Sequence, residues 1–144
     1  MTENKQYDLI PVLKAPAKIE LRSSDVGGYG VFATRFIKEN EVIEEAPYVK
    51  TSYRSKDLIH PELRQILYTF PCSCETCKYR GRNFVLSSGF VQMYNHAEKG
   101  KESVKFEWIY ESRIIRVVAI RDIKANEEVF HYYGSNYSFF NEVK

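Results

Sequence analysis

Three short stretches of the sequence combine residue types that can bind a ligand or carry out chemistry. The first, "DVGGYGVFAT", places Gly27, Gly28 and Gly30 close together, so the backbone there can turn sharply or approach a ligand closely. It has neither the lysine of a phosphate-binding loop nor the spacing of a dinucleotide-binding motif. Taken alone, this stretch indicates a tight turn.

The second and third stretches supply a histidine and two phenols. "MYNHAEKG" contains His96, which could be a general base, a metal ligand or a structural residue, and no partner lies at zinc-ligand spacing from it. "EEVFHYYG" ends in Tyr132 and Tyr133 before a glycine. Successive side chains of a strand point to opposite faces, so at most one of the two hydroxyls can face a given site.

The three cysteines lie together in "CSCETC", as Cys72, Cys74 and Cys77. An odd number of cysteines at this spacing does not make a disulfide framework. They offer three of the four ligands of a tetrahedral zinc site, and His60, another chain or water would have to be the fourth. A reduced surface loop is the alternative, and zinc is not an expected cofactor.

Alternating apolar residues between turn signals predict a mostly β domain with short helices. "KIELR", "EVIEEAPYVKTSY" (broken at Pro47), "SVKFEWIY", "RIIRVVAI" and "EEVFHYY" are the predicted strands, the third and fourth forming a hairpin. In "SVKFEWIY" one face carries Val104, Phe106, Trp108 and Tyr110. "HPELRQILYTF" (60–70) predicts a helix with a proline in its first turn.

A repeated pattern predicts two similar turns that lead into strands. "IKENEVI" and "IKANEEV" share Ile-Lys-x-Asn-Glu, with Asn40 and Asn126 at the position where a turn needs a left-handed residue. Asparagine tolerates that conformation better than most residues do.

Composition limits the classes of function. The chain has 144 residues, 44% hydrophobic and 28% charged, which fits one globular domain. Its net charge of +2 does not favour direct nucleic-acid binding or a membrane surface. The sequence has no signal peptide and no apolar run that could span a bilayer, so we expect an intracellular protein.

The order and spacing of three stretches closely resemble the signatures of the SET domain. They are "GYGVFATRFIKENEVI", "GFVQMYNHA" and "VAIRDIKANEEVFHYYGSNY", and the resemblance covers Lys18 to Tyr137. It is strongest to the small stand-alone SET proteins of viruses, phages and bacteria. It implies one domain over 1–144 (core about 18–137), built of several small β-sheets with a C-terminal pseudoknot. A helical and cysteine-containing insert would span about 55–82, and an aromatic tail 135–144.

SET proteins transfer a methyl group from S-adenosyl-L-methionine to a protein lysine, so the resemblance implies roles for individual residues. The glycine turn, the Asn-His pair and the final tyrosine would bind the cofactor, as Gly28, Tyr29, Gly30, Asn95, His96 and Tyr133. Tyr133 matches the catalytic tyrosine, and Tyr132 would point to the other face, towards the core. The substrate channel would be lined by His131 and Tyr48 and closed by the tail residues Tyr137, Phe139 and Phe140. A tail that simply packs on the core is the alternative.

The sequence departs from the family pattern at several positions. Ala97 stands where a serine usually follows the Asn-His pair, and no Pro-Asn comes after it. His131 occupies a position that is commonly Phe or Tyr and that helps to set how many methyl groups are added, which leaves the product degree open. Ala46 aligns with a tyrosine of many relatives, and Tyr48 is a candidate to replace it.

The resemblance leads to a protein lysine N-methyltransferase that acts on an exposed lysine in a flexible tail, of a histone or of another host protein, in the cytoplasm or the host nucleus. A non-catalytic SET module that binds a peptide or S-adenosylmethionine is the alternative, supported by the departures above. A zinc protein with an accidental resemblance is a third and weaker one. A homodimer is also open.

Overall fold

The protein is described here by a computed structural model that covers residues 12–53, 60–64, 68–69 and 82–133. Within these ranges the strands are β1 (Ile19–Ser23), β2 (Tyr29–Ala33), β3 (Val42–Tyr53), β4 (Tyr68–Thr69), β5 (Arg82–Ser87), β6 (Asn95–His96), β7 (Val104–Ile109), β8 (Ile114–Ala119) and β9 (Glu128–His131). A helical turn, α1 (Pro61–Arg64), and a 3-10 turn (Val91–Met93) are the helical elements of the same ranges. The prediction of a mostly β fold is confirmed.

The strands form one continuous hydrogen-bonded path in the order β1-β2-β9-β7-β8-β3-β5-β4, with β6 paired to β9. Neighbours are antiparallel except where β9 meets β6 and β7, which run parallel to it. The predicted hairpin is β7–β8, where Phe106 lies opposite Val117 and Trp108 opposite Ile115.

The last described strand, β9, is flanked by two segments that are close in sequence. Ala97 donates its backbone N–H to the carbonyl of His131, and Ser103 donates to the carbonyl of Phe130, each at 3.0 Å. Consecutive carbonyls of a strand point to opposite edges, so the loop 97–103 crosses from one edge of β9 to the other. The segment that would thread beneath a loop follows Tyr133 and lies outside the described residues, so the pseudoknot stays a prediction.

Strand β3 changes partner in the middle instead of ending there. Residues Val42 to Pro47 pair with β8, and residues Tyr48 to Tyr53 pair with β5. The predicted break at Pro47 was therefore wrong as a strand end, although that residue marks the change of partner. Proline has no N–H to donate to a neighbouring strand, which suits it to this position.

The predicted helix over 60–70 was wrong at Tyr68 and Thr69, while residues 65–67 and 70 lie outside the described ranges. Pro61 begins α1 as expected, but the described helix spans only Pro61–Arg64. Tyr68 and Thr69 form β4, opposite Val85 and Phe84 of β5. Pairing with a strand distant in sequence therefore overrides the local helical pattern there.

The two predicted turns are related by a local pseudo-twofold arrangement. Asn40 and Asn126 are both left-handed, with φ of 74° and 71°, which confirms the prediction. Ile37 and Ile123 exchange two backbone hydrogen bonds of 2.8 Å. The backbone N–H of Asn40 donates to the carbonyl of Ala119, the last residue of β8. The backbone N–H of Asn126 donates to the carbonyl of Ala33, the last residue of β2. The turns thus tie the β2 and β3 region to the β8 and β9 region.

The core is formed by the inward faces of β2, β3, β5, β7, β8 and β9. Its members include Val31, Ile37, Val85, Tyr94, Val104, Ile115, Val117, Ile123 and Val129, all almost completely buried. On β7, Val104 is buried and Phe106 and Trp108 pack against the core, as the alternation predicted. Tyr110 lies beyond the strand and is exposed. In the described ranges, no helix is long and apolar enough to cross a membrane.

Candidate functional site

Asn95 joins the glycine turn to the last strand. Its Nδ2 donates to the carbonyl of Tyr29 at 3.2 Å, to Ser24 Oγ at 3.1 Å and to Glu128 Oε2 at 2.8 Å. Ser24 Oγ in turn donates to Glu128 Oε1 at 2.7 Å. An amide has two N–H donors, so these three acceptors share them. One side chain thus fixes three segments that are distant in sequence.

The glycines of the turn have two different physical functions. Gly28 has φ +61°, and a Cβ there would meet nothing within 4 Å. Gly30 is the opposite case: a Cβ would overlap the Glu128 carboxylate and lie 3.0 Å from Asn95 Nδ2. Tyr29 between them is 63% exposed. The turn therefore presents open backbone and one aromatic ring on its outer side, while Gly30 allows close packing on its inner side.

His96 holds the backbone of Tyr133. The N–H of Tyr133 donates to His96 Nδ1 at 3.1 Å, and the two ring centroids are 5.0 Å apart. Burial lowers the pKa of His96, and the nearby Glu98 and Glu102 partly oppose that effect. Because Nδ1 accepts this hydrogen bond, the imidazole is neutral and carries its proton on Nε2.

The two tyrosines lie beyond the end of β9 at His131, so strand alternation does not fix their directions. The Tyr133 hydroxyl donates to the backbone carbonyl of Tyr94, the residue before Asn95. The Tyr132 ring lies 5.7 Å from the His96 ring and is partly buried. Both phenols therefore lie near His96, and the one whose hydroxyl position is fixed by the Asn-His segment is Tyr133.

His131 and Tyr48 belong to one aromatic row along β7. His131 stacks on Phe106 with centroids 3.7 Å apart and planes 5° from parallel. Tyr48 meets Trp108 edge to face at 5.4 Å. Burial, and to a smaller extent His96, lowers the pKa of His131 to about 3, so its ring is neutral at physiological pH.

Sequence reasoning singled out Phe106 and Trp108 only as one face of a strand. Their alternation on β7 links the two predicted channel residues, because Phe106 contacts His131 and Trp108 contacts Tyr48. Ala46, at the position of a family tyrosine, is buried in the core. Tyr48 is also buried, and burial raises its pKa.

Sequence reasoning missed two carboxylates. Glu128 anchors Asn95, as described above. Glu44 is 4% exposed, accepts the N–H of Phe90 on Oε2 at 3.0 Å and accepts the Tyr94 hydroxyl on Oε1 at 2.9 Å. Burial raises the pKa of Glu44. The available signal was the strand alternation, which places Glu44 on the same side of β3 as the apolar Ala46.

Several predicted residues lie outside the described ranges. They are the channel candidates Tyr137, Phe139 and Phe140 and the cysteines Cys72, Cys74 and Cys77. Among residues 12–53, 60–64, 68–69 and 82–133, no cluster of three or more His, Cys, Asp or Glu could hold a metal ion. The zinc alternative therefore stays a prediction about the cysteine segment alone.

Comparison with known families places this arrangement in a class. A family model described as the SET domain matches residues 28–134, from the glycine turn to the residue after Tyr133. The match covers most of the chain. The protein belongs to the SET-domain family.

One curated relative is similar to this chain at low sequence identity. The chain is 28% identical over 118 residues to the histone-lysine N-methyltransferase EZH2 of Chaetomium thermophilum, which covers 76% of this chain and 8% of that protein. The chain thus spans less than a tenth of the length of this relative. The whole relative's activity and partners do not transfer with the match.

Two solved structures share the fold. One is a Plasmodium falciparum protein named as a candidate histone methyltransferase, with a TM-score of 0.59 and 26% identity over 85% of this chain and 96% of that one. The other is a humanized mutant of the Chaetomium thermophilum Polycomb Repressive Complex 2 bound to the inhibitor GSK126. It has a TM-score of 0.62 and 27% identity over 90% of this chain and 16% of that one. Family membership rests on the SET-domain model, and these two structures show that the fold is shared.

Proposed function

We propose that the protein is an S-adenosylmethionine-dependent protein lysine N-methyltransferase. The observation that carries the proposal is the position of Tyr133. Its hydroxyl is held at the carbonyl of Tyr94 and its backbone at His96, directly beside the Asn95 contact to the glycine turn. The Asn-His segment thus contacts the glycine turn through Asn95 and contacts Tyr133 through His96 and the Tyr94 carbonyl, which supports the proposal.

The residues of the turn fit S-adenosylmethionine. The ligand carries a carboxylate, an ammonium group, ribose hydroxyls and a purine, which backbone groups and an aromatic face can bind. The outer side of the Gly28 turn has open backbone, and Tyr29 exposes its ring there. When bound, S-adenosylmethionine supplies a methyl group that its sulfonium activates for transfer.

The protein's own residues position the amine. The lysine nitrogen attacks the methyl carbon as the carbon–sulfur bond breaks, and the electron pair stays on sulfur, so the reaction needs near-collinear atoms. Because the Tyr133 hydroxyl donates to the Tyr94 carbonyl, its oxygen lone pairs are available to accept weak C–H···O contacts or an amine N–H. The lysine gives up its proton to solvent before the attack, and the product is a methylated ammonium.

The aromatic row suits a lysine side chain. The amine must arrive neutral, and at pH 7.4 only about one lysine in a thousand is neutral in water. A desolvated channel next to a positive sulfonium lowers that pKa. His131, Phe106, Trp108 and Tyr48 offer an apolar wall with no charge at neutral pH, and aromatic faces bind methylated ammonium groups.

The substrate we propose is an exposed lysine in a flexible protein tail, docked as an extended strand. A histone tail is favoured because the EZH2 relative is named as a histone-lysine N-methyltransferase. We further propose that the protein is a small stand-alone SET protein of the viral or bacterial type. It would act in the cytoplasm or the host nucleus, and as a homodimer.

The two adjacent tyrosines allow a matched test. The purified protein is incubated with methyl-labelled S-adenosylmethionine and core histones, alongside Tyr133→Phe and Tyr132→Phe. We expect label on histone lysine, a loss of at least tenfold in Tyr133→Phe, and a much smaller change in Tyr132→Phe. Equal effects of the two substitutions would contradict the role of Tyr133. If S-adenosylmethionine raises the melting temperature but no label is transferred to histones or to a cell lysate, the protein is a non-catalytic binding module or its substrate is absent from both mixtures.

A further inference from the structure

Glu44 is a buried carboxylate that holds both ends of one short segment. It lies on β3 and accepts the N–H of Phe90 on one oxygen and the hydroxyl of Tyr94 on the other, at 3.0 and 2.9 Å. Between these contacts runs the 3-10 turn Val91–Met93, closed by a hydrogen bond from Met93 N–H to the Phe90 carbonyl. The carboxylate thus fixes where this segment begins and where it ends.

The chain is shaped to fit this carboxylate. Gly89 has φ +69°, a conformation that L side chains rarely adopt, and a Cβ there would lie 2.5 Å from Glu44 Oε2. Glycine at this position therefore serves two purposes: it permits the left-handed turn and leaves room for the carboxylate. Gly89, Phe90 and Tyr94 of this segment thus all lie against the Glu44 carboxylate.

A carboxylate at this place is costly for stability. Burial disfavours its charged form and raises its pKa, with the hydrogen bonds from Phe90 and Tyr94 opposing part of that effect. Because the pKa of Glu44 is raised in the folded protein, the contribution of this residue to stability is fully present below its unfolded-state pKa. That contribution is lost as the pH rises through its folded-state pKa. At neutral pH a neutral residue of the same shape would avoid this cost. The two hydrogen bonds that Glu44 accepts, from Phe90 and from Tyr94, are the contacts that a carboxylate makes at this place.

The segment that Glu44 holds ends at Tyr94, the residue whose carbonyl binds the Tyr133 hydroxyl. The carbonyl of Tyr94 accepts the Tyr133 hydroxyl, and the next residue, Asn95, contacts the glycine turn. A shift of Tyr94 would therefore move the acceptor that orients Tyr133.

We propose that Glu44 is a positioning residue for methyl transfer, because its carboxylate fixes Tyr94 and, through the Tyr94 carbonyl, places the Tyr133 hydroxyl. This role rests on the proposed function for its catalytic consequence. The placement of Tyr133 itself does not depend on that function. The two parts can therefore fail separately.

The neighbouring residue provides a matched control. Glu45 is a carboxylate on the same strand, but it is partly exposed and pairs with Arg116 at 3.1 Å on the surface. Glu44→Gln and Glu45→Gln remove the same charge one residue apart. Tyr94→Phe removes only the hydroxyl that Glu44 accepts. Together with the double variant of Glu44 and Tyr94, these form a mutant cycle.

The first readout separates positioning from a general loss of structure. In Glu44→Gln we expect kcat to fall about tenfold or more and the KM for S-adenosylmethionine to change less than threefold. The melting temperature at pH 7.5 should fall too little to explain the loss of kcat. Tyr94→Phe should lower kcat in the same direction, and the double variant should be no worse than the worse single one. A kcat of Glu44→Gln equal to that of Glu45→Gln would overturn the proposal, as would a loss of kcat that merely follows a loss of melting temperature.

The second readout does not require activity. In protein labelled with 3-fluorotyrosine, the fluorine resonance of Tyr133 is identified by its disappearance in Tyr133→Phe. It should move in Glu44→Gln and stay in place in Glu45→Gln. If it does not move in Glu44→Gln, the positioning role is wrong. If it moves while the wild-type protein transfers no methyl group, the link between Glu44 and Tyr133 stands and the proposed function fails.

Discussion

Replacing His131 by phenylalanine should make the protein less sensitive to acid. His131 stacks on Phe106 and is largely buried, which lowers its pKa from 6.5 to about 3. Above pH 6.5 the ring is neutral in both the folded and the unfolded chain, so it adds no pH dependence there. Below pH 6.5 the unfolded chain binds a proton that the folded protein rejects, and stability is lost as the pH falls.

The size of the effect at pH 5 follows from these two values. Because His131 binds a proton more readily in the unfolded chain than in the folded protein, the free energy of unfolding falls by about 2 kcal/mol between pH 7.5 and pH 5. A folded-state pKa one unit higher gives nearly the same fall. Urea denaturation of the wild type and of His131→Phe at both pH values measures the difference. Phenylalanine retains the stack on Phe106, so the variant should lack this part of the acid loss. The exposed His60, changed to glutamine, is the control and should follow the wild type. If His131→Phe and the wild type lose the same stability between pH 7.5 and pH 5, His131 is not the source of the acid sensitivity.

Other features of the structure give further expectations. Gly30→Ala should destabilise the protein by about 1–3 kcal/mol in urea and weaken S-adenosylmethionine binding, because its methyl group would overlap Glu128; unchanged binding would contradict the packing role. Asn40→Ala and Asn126→Ala should each cost about 1 kcal/mol, while glycine at either position should cost at most a few tenths, because both residues are left-handed; equal costs for alanine and glycine would contradict this. The rate of methyl transfer at low peptide concentration should rise towards alkaline pH, as the neutral fraction of lysine rises about tenfold per unit; a maximum below pH 7 would argue against the mechanism.

Local signals allowed several elements to be predicted from the sequence. The alternation in "SVKFEWIY" predicted β7, and the short polar connection predicted its hairpin with β8. Asn40 and Asn126 predicted two left-handed turns because the conformational preference belongs to the residue itself. Tyr68 and Thr69 were assigned wrongly, since their state is set by pairing with β5 and not by their neighbours in sequence.

In the candidate site, too, some residues are recognisable from the sequence and others only from the packing. The glycine turn, the Asn-His pair and Tyr133 are recognisable by type and order in the sequence. Glu44 and Glu128 are not, because a glutamate in a strand usually faces solvent and only the three-dimensional packing shows which of them are enclosed. Adjacent glutamates illustrate the difficulty: Glu44 is buried against Tyr94, while Glu45 next to it forms a surface pair with Arg116.

The position of the two tyrosines needed the structure as well. Strand alternation suggested that only one hydroxyl could face the site, but β9 ends at His131, before either tyrosine. The distinction comes from hydrogen bonding instead, since the Tyr133 hydroxyl is fixed at the Tyr94 carbonyl and its N–H at His96. A contact between residues this far apart in the chain is invisible to any local pattern.

Methyl transfer to lysine by way of Tyr133 can be tested by tandem mass spectrometry. Histones are treated with the protein and with S-adenosylmethionine that carries a deuterated methyl group. We expect a heavy methyl group on the side-chain nitrogen of a lysine, present with the wild type and lost with Tyr133→Phe. A heavy methyl group on any other residue type, or equal labelling by the two proteins, would contradict this expectation.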